Sequence, residues 1–186
     1  MNGYSSMSSR CATVQPMEPM TPPDIARHTP AYMDGNPTID ERASYCFGCG
    51  PANPQGLHLA FTTDSSNSAN PTAIAYLQLD RLHEGPPGHV HGGIVATLLD
   101  EAMSKLNRPL NVIAMTRHME IDYLRPAPLF KPLTLVSRHL RREGRKLFHL
   151  AELQFSDGTV LARAKAVFIV IDEKLLAISG FTQPET

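Results

Sequence analysis

The stretch His89-Val90-His91-Gly92-Gly93-Ile94-Val95-Ala96-Thr97-Leu98-Leu99-Asp100 constrains this chain more than any other. Ile94, Val95, Leu98, Leu99, Ala102, Met103 and Leu106 recur at the 3.6-residue period, one apolar stripe of an amphipathic helix. Thr97, Asp100, Glu101, Ser104 and Lys105 fall on the other side, and Pro109 limits the helix downstream. The paired glycines at its head let another group approach the backbone closely. The first turn of a helix has unpaired N–H groups and a partial positive charge, so it can hold a phosphate or a developing oxyanion. Glu101 has Lys105 as its i+4 partner. Asp100 has no such partner, and is either a solvated acid or a base or nucleophile.

The 186 residues suggest one domain and a tail. Hydrophobic residues make up 42% and charged residues 19%, ordinary for a soluble globular domain. A formal charge of −1 gives no sign of a nucleic-acid partner, and no apolar run is long enough to span a bilayer. Residues 1–44 are rich in Ser and Pro without sustained periodicity, which predicts a disordered or loosely packed tail; residues 45–180 form the expected domain. The tail lacks the apolar core of a secretory signal, and its arginines make a weak transit peptide. A cytoplasmic location is expected, with the mitochondrial matrix as the alternative.

Alternation predicts strands over 57–63, 72–79, 114–124, 133–140, 147–155 and 159–171. Residues 81–88 read as a loop, with Gly85-Pro86-Pro87-Gly88 as breakers, and Arg141 to Lys146 as a hairpin turn. The order β-β-α-β-β-β-β makes an α+β domain with one long helix against a six-stranded antiparallel sheet.

That order, with His91-Gly92-Gly93 at the head of the helix and Asp100 nine positions after His91, resembles the hotdog fold of acyl-CoA thioesterases. The resemblance is to the phenylacetate-pathway and mitochondrial types, and covers about residues 45 to 171. Thr116, sixteen residues past Asp100, matches a threonine of the mitochondrial group. Met115 to Pro126 resembles the next family strand with its aromatic-x-Arg-Pro ending. Cys46-Phe47-Gly48-Cys49-Gly50 with Asn53-Pro54 and Gly56-Leu57 resembles the opening segment of many bacterial and fungal members. The Pro-rich loop before the motif departs from the pattern and bears on the rim of the acyl pocket.

The resemblance implies a six-stranded sheet wrapped around a central helix, and a hydrolase of acyl-CoA working in lipid metabolism without a cofactor. It implies that the Gly92 N–H takes the thioester oxygen and that Asp100 activates water or attacks. His91 would shape the site, and Thr116 would hold the water or the carboxylate. Gly93, Arg125, Arg141, Arg145 and Lys146 are the expected substrate contacts; the basic residues would meet the phosphates of coenzyme A. Spacing adds a constraint of its own. Gly92 and Asp100 lie eight residues apart, about 12 Å along a helix, too far to serve one carbonyl. An isologous homodimer, by itself or as a dimer of dimers, would bring one residue from each chain together.

Other readings are weaker. A hotdog dehydratase or hydratase carries its acid further along the helix, although Glu101-Ala102-Met103 is a faint echo of one. A non-catalytic acyl-CoA-binding module would usually lack the helix acid. Zinc at Cys46-x-x-Cys49 needs further ligands, with Cys11 and His58 as candidates, and a redox pair would sit beside a βαβ unit. The pair therefore reads as packing or turn residues. His83, His89 and His91 share no helix or strand period, so no metal site is expected. His118 and His149 read as ordinary sheet-face residues.

Overall fold

In the computed structural model, residues 44–171 apart from Ser68 are described. The tail over 1–43 and the last residues of the expected 45–180 domain lie outside them. Strands β1 (Thr62–Asp64) and β2 (Thr72–Leu77) come first, then a single 3-10 turn (Arg81–His83) and helix α1 (Gly92–Ser104). Strands β3 (Ala114–Tyr123), β4 (Leu133–Glu143), β5 (Lys146–Phe155) and β6 (Val160–Val170) follow. They form one six-stranded sheet in the order β1-β2-β4-β5-β6-β3, every neighbouring pair antiparallel.

The predicted stripe of α1 is the face that packs. Val95, Leu98, Leu99, Ala102 and Met103 are buried, as is Leu106 just beyond the helix. They meet the alternate residues Leu133 and Leu135 of β4, Leu147, Ala151 and Leu153 of β5, and Ala162, Ala164, Ala166 and Phe168 of β6. Alanines on three strands and on the helix leave room for the helix axis to lie close to the sheet. The buried Ser137 hydroxyl of β4 donates to the Ala102 carbonyl of the helix at 2.7 Å.

Two local expectations are corrected. The predicted strand over 57–63 is cut to Thr62–Asp64. The Leu57 and Leu59 N–H groups donate to the carbonyls of Phe47 and Gly48 instead, so this segment is zipped to the Cys46–Gly50 loop and not to the sheet. The basic run Arg141–Lys146 is mostly strand. β4 continues to Glu143 and β5 resumes at Lys146, leaving a two-residue turn with Gly144 at φ 57°. Asp157-Gly158 turns the chain between β5 and β6, with Gly158 at φ 85° and the Asp157 carboxylate accepting from the Thr159 N–H at 2.8 Å.

His118 is exposed beside Glu120, but His149 is no ordinary sheet-face residue. It is fully buried, registered opposite His139, with the two Nδ1 atoms 3.2 Å apart and Phe168 edge-on to the ring. Burial, and then the neighbouring His139, push its pKa down to about 3, and burial lowers His139 as well. An unfolded histidine takes its proton near pH 6.5, so below that value the unfolded chain binds more protons and folding stability falls with pH. The expected loss is about 1.4 kcal/mol per pH unit for each proton, from about pH 6 downward. Denaturant midpoints between pH 7 and pH 4 check this: His149→Phe should flatten the slope, and an unchanged slope would refute it.

Candidate active site

The 3-10 turn Arg81–His83 and the loop after it set the head of the helix. Asp80 accepts from the Leu82 N–H at 2.9 Å and lies 3.0 Å from His83 Nδ1. The Glu84 carboxylate accepts from the Gly88 N–H at 2.7 Å, and the His91 N–H donates to the His83 carbonyl at 2.9 Å. Gly85 lies flat against His91, where an added Cβ would stand 2.7 Å from the His91 Cα. The Pro-rich loop is thus a rigid ramp that delivers His91 to the helix.

His91 is the N-cap of α1, and its Nδ1 accepts from the Gly93 N–H at 3.0 Å. That bond fixes the tautomer: the proton sits on Nε2. It also occupies Gly93, so Gly93 shapes the cap and offers no donor to a substrate. The Ile94 and Val95 N–H groups both turn back to the His91 carbonyl. Among the described residues the Gly92 N–H donates to no protein acceptor, at the positive end of a 13-residue helix. The trio His83, His89 and His91 does not converge, because each Nδ1 serves a separate partner. Gly85→Val should displace His91 and lower the thermal midpoint by several degrees, measured by circular dichroism. An unshifted midpoint would mean that the ramp yields easily.

Asp100 is half-buried on the flank of α1 and accepts from the Thr116 hydroxyl of β3 at 2.6 Å. This short O–H···O⁻ bond engages one carboxylate oxygen and orients the other. Eight residues earlier on α1, the Tyr123 hydroxyl of β3 donates to the Gly92 carbonyl at 3.1 Å. The sequence marks Tyr123 only as the aromatic of the aromatic-x-Arg-Pro ending and assigns it no role in the site. Asp100 and Gly92 therefore both face β3, at its opposite ends.

The basic residues are more occupied than expected. Arg125 donates to the Val160 carbonyl at 2.7 Å. Arg141 pairs with Glu143 at 2.7 Å and stacks 3.6 Å from the Phe148 ring. Arg145 donates to the Val170 carbonyl at 3.0 Å. Lys146 is exposed at the start of β5, at the end of the sheet where β3 begins, since Lys146 pairs Ile169 and Ile169 pairs Met115. These four do not form one cluster around Asp100.

A second group lies on the same helix. Glu101 and Lys105 make the expected i+4 pair at 2.6 Å. Lys105 also reaches Cys49 Sγ at 2.8 Å, and Cys46 Sγ lies 3.8 Å from the Glu101 carboxylate. Burial, followed by the Glu101 carboxylate, pushes the Cys49 thiol up to about 12. Burial opposes the charge on Lys105, but the bonds to Cys49 and Glu101 outweigh it and raise the ammonium above its ordinary value. Next to this group, at the C-terminal end of α1, is a cavity of about 960 Å³ whose lining includes Leu59, Phe61, Val112 and Ile113.

Residues 87–162 match the family model for the Thioesterase superfamily. Acyl-coenzyme A thioesterase THEM4 of Rattus norvegicus is 34% identical over 107 residues, 57% of this chain and 46% of that protein. The THEM4 of Mus musculus is 38% identical over 90 residues, 48% of this chain and 39% of that protein. The chain spans about half the length of the curated relatives it matches. A crystallised thioesterase superfamily protein superposes with a TM-score of 0.60 at 32% identity, covering 64% of this chain and 60% of that one. A hypothetical thioesterase of Streptococcus pneumoniae, crystallised with coenzyme A, has a TM-score of 0.54 at 16% identity. It covers 60% of this chain and 86% of that one, and adds support for the fold alone. The sheet order and the helix with its glycine-rich head agree with these neighbours: the described domain has the hotdog fold, and its residues 87–162 are similar to the thioesterase superfamily.

Proposed function

We propose that the chain hydrolyses acyl-CoA thioesters to the free acid and coenzyme A. The observation that carries this reading is the placement of Asp100 and Gly92 against the two ends of β3. One is an oriented carboxylate; the other is a free N–H at a helix head. Asp100 acts as general base or nucleophile, and the Gly92 N–H receives the negative charge that grows on the thioester oxygen. Thr116 holds the carboxylate, and His91 holds the cap that aims Gly92. The names of the curated relatives support acyl-CoA as the substrate class.

Gly92 and Asp100 of one chain cannot meet at one carbonyl, and β3 suggests how two chains solve this. Among the described residues β3 pairs only with β6, so one edge of this ten-residue strand is open, with Met115 and Tyr123 exposed. Such an edge is a template for another strand. A twofold axis near Met119 would pair two β3 strands antiparallel and set Thr116 of one protomer opposite Tyr123 of the other. Asp100 of one chain then lies near Gly92 of its partner, and the sheet continues across the dimer.

The test is a panel of aryl, short-chain and long-chain acyl-CoA substrates with a free-thiol readout. Thiol release is expected from at least one substrate class. Water addition to an enoyl-CoA without thiol release would favour the dehydratase reading. Tight acyl-CoA binding without turnover would favour a binding module.

A further inference from the structure

Cys46, Cys49, Glu101 and Lys105 have no part in the hydrolytic reading, yet two distant segments converge to place them together. Gly50 closes the Cys46-x-x-Cys49 turn, its N–H donating to the Cys46 carbonyl at 2.8 Å. An added Cβ on Gly50 would stand 2.4 Å from the Cys46 N. Gly48 lets the turn lie against α1: a Cβ there would stand 2.5 Å from a Glu101 carboxylate oxygen. Both glycines are buried. One donor atom each from Cys46, Cys49 and Glu101 lies within 4.8 Å of the other two.

We propose that Cys46, Cys49 and Glu101 bind a zinc ion that fastens the turn before β1 to helix α1. Zinc takes thiolate and carboxylate donors in a tetrahedron, and donors on such an ion stand about 3.4–3.8 Å apart. The 3.8 Å between Cys46 Sγ and Glu101 Oε2 already matches that spacing. The carboxylate divides its work. Oε2 faces the Cys46 thiol, while Oε1 is held by Lys105 at 2.6 Å. Lys105 also donates to Cys49 Sγ, the kind of outer contact that orients a metal ligand. Charge balances as well. Zinc displaces the protons of two thiols, which leave as two H⁺ to solvent; two thiolates, one carboxylate and Zn²⁺ sum to −1, and the Lys105 ammonium neutralises it. The fourth position is left for water. By sequence the cysteine pair reads as packing or turn residues; of its two candidate further ligands, His58 is exposed and takes no part, Cys11 lies outside the described residues, and the third donor comes from the helix.

Cobalt(II) titration of the full, reduced, metal-free chain tests the site, because tetrahedral cobalt–thiolate complexes absorb in the visible and near-ultraviolet. One cobalt per chain with charge-transfer bands is expected, bleached by one equivalent of zinc. Zinc at about 100-fold excess over its Kd should raise Tm by roughly 10 °C. Cys46→Ser and Cys49→Ser should each lose the charge-transfer spectrum of the pair, and Lys105→Met should bind about 10–100-fold more weakly. If the cysteine variants fail to fold, the wild type still decides the matter: zinc should slow alkylation of Cys46 at least about tenfold. A folded chain that gives only the spectrum of aqueous cobalt, or alkylation indifferent to zinc, overturns the proposal. So does a reduced chain that takes no metal but forms a Cys46–Cys49 disulfide under mild oxidation, which would make the pair a redox element.

Discussion

Asp100→Asn should abolish most acyl-CoA hydrolysis while leaving the fold intact. The carboxamide keeps the size of the carboxylate and can still accept from the Thr116 hydroxyl, now 2.6 Å from Asp100 Oδ1. It is neither a base nor a nucleophile. Removing a general base typically costs about 10²–10⁴-fold in rate, and a loss of that size is expected in kcat. Thr116→Ala should cost less, because its hydroxyl orients the carboxylate and carries no charge; a loss of about tenfold would fit one lost hydrogen bond. Steady-state kinetics on the best substrate of the panel checks both. An Asp100→Asn enzyme near wild type would remove Asp100 from the chemistry. A Thr116→Ala enzyme more damaged than Asp100→Asn would make the threonine the attacking group.

Recovery of activity from two dead variants is the second large effect. A Cβ at Gly92 would stand 3.7 Å from the Tyr123 ring, an ordinary contact, so a bulky side chain there crowds the head of the helix. Gly92→Trp should therefore block the oxyanion donor of its own chain, and Asp100→Asn should remove the base of its own chain. If each site draws one residue from each protomer, a mixed dimer has one site with both lesions and one with neither. Random re-pairing makes about half of the dimers mixed, and each has one working site of two. Recovered activity should then approach about a quarter of wild type, provided the sites act independently. The measurement is thiol release before and after joint partial unfolding and refolding, with mass spectrometry confirming exchange of subunits. Exchange without recovery would mean that Gly92 and Asp100 do not meet across the β3 edge.

The chain itself determined the helix and most of the sheet, because burial imposes a period on the residues that form them. The seven apolar positions from Ile94 to Leu106 could only be one face of a helix, and those facing the sheet are buried. Alternation marked β3, β4, β5 and β6 for the same reason. Residues 57–61 show where local pattern stops: they alternate like a strand, yet their N–H groups are claimed by Phe47 and Gly48. The alternation there reports a half-buried surface and not the identity of the hydrogen-bonding partner.

The head of the site was equally legible. Its parts follow one another along the chain: the His91 cap, the glycines, and Asp100 on the next turns of one helix. Only the tertiary structure could decide contacts between segments far apart in sequence. It set the Thr116 hydroxyl on the Asp100 carboxylate, where the resemblance leaves water or the carboxylate as its partner, gave Gly92 its Tyr123 anchor, and tied up the arginines with backbone carbonyls and a neighbouring glutamate. It also brought Glu101 to the two cysteines, 55 and 52 residues away. A helix position tells which face a carboxylate occupies, but what lies across from that face depends on how a separate loop folds back onto it. The same holds for His139 and His149: each looks like any polar residue in an alternating strand, and only the register of β4 against β5 makes them a buried pair.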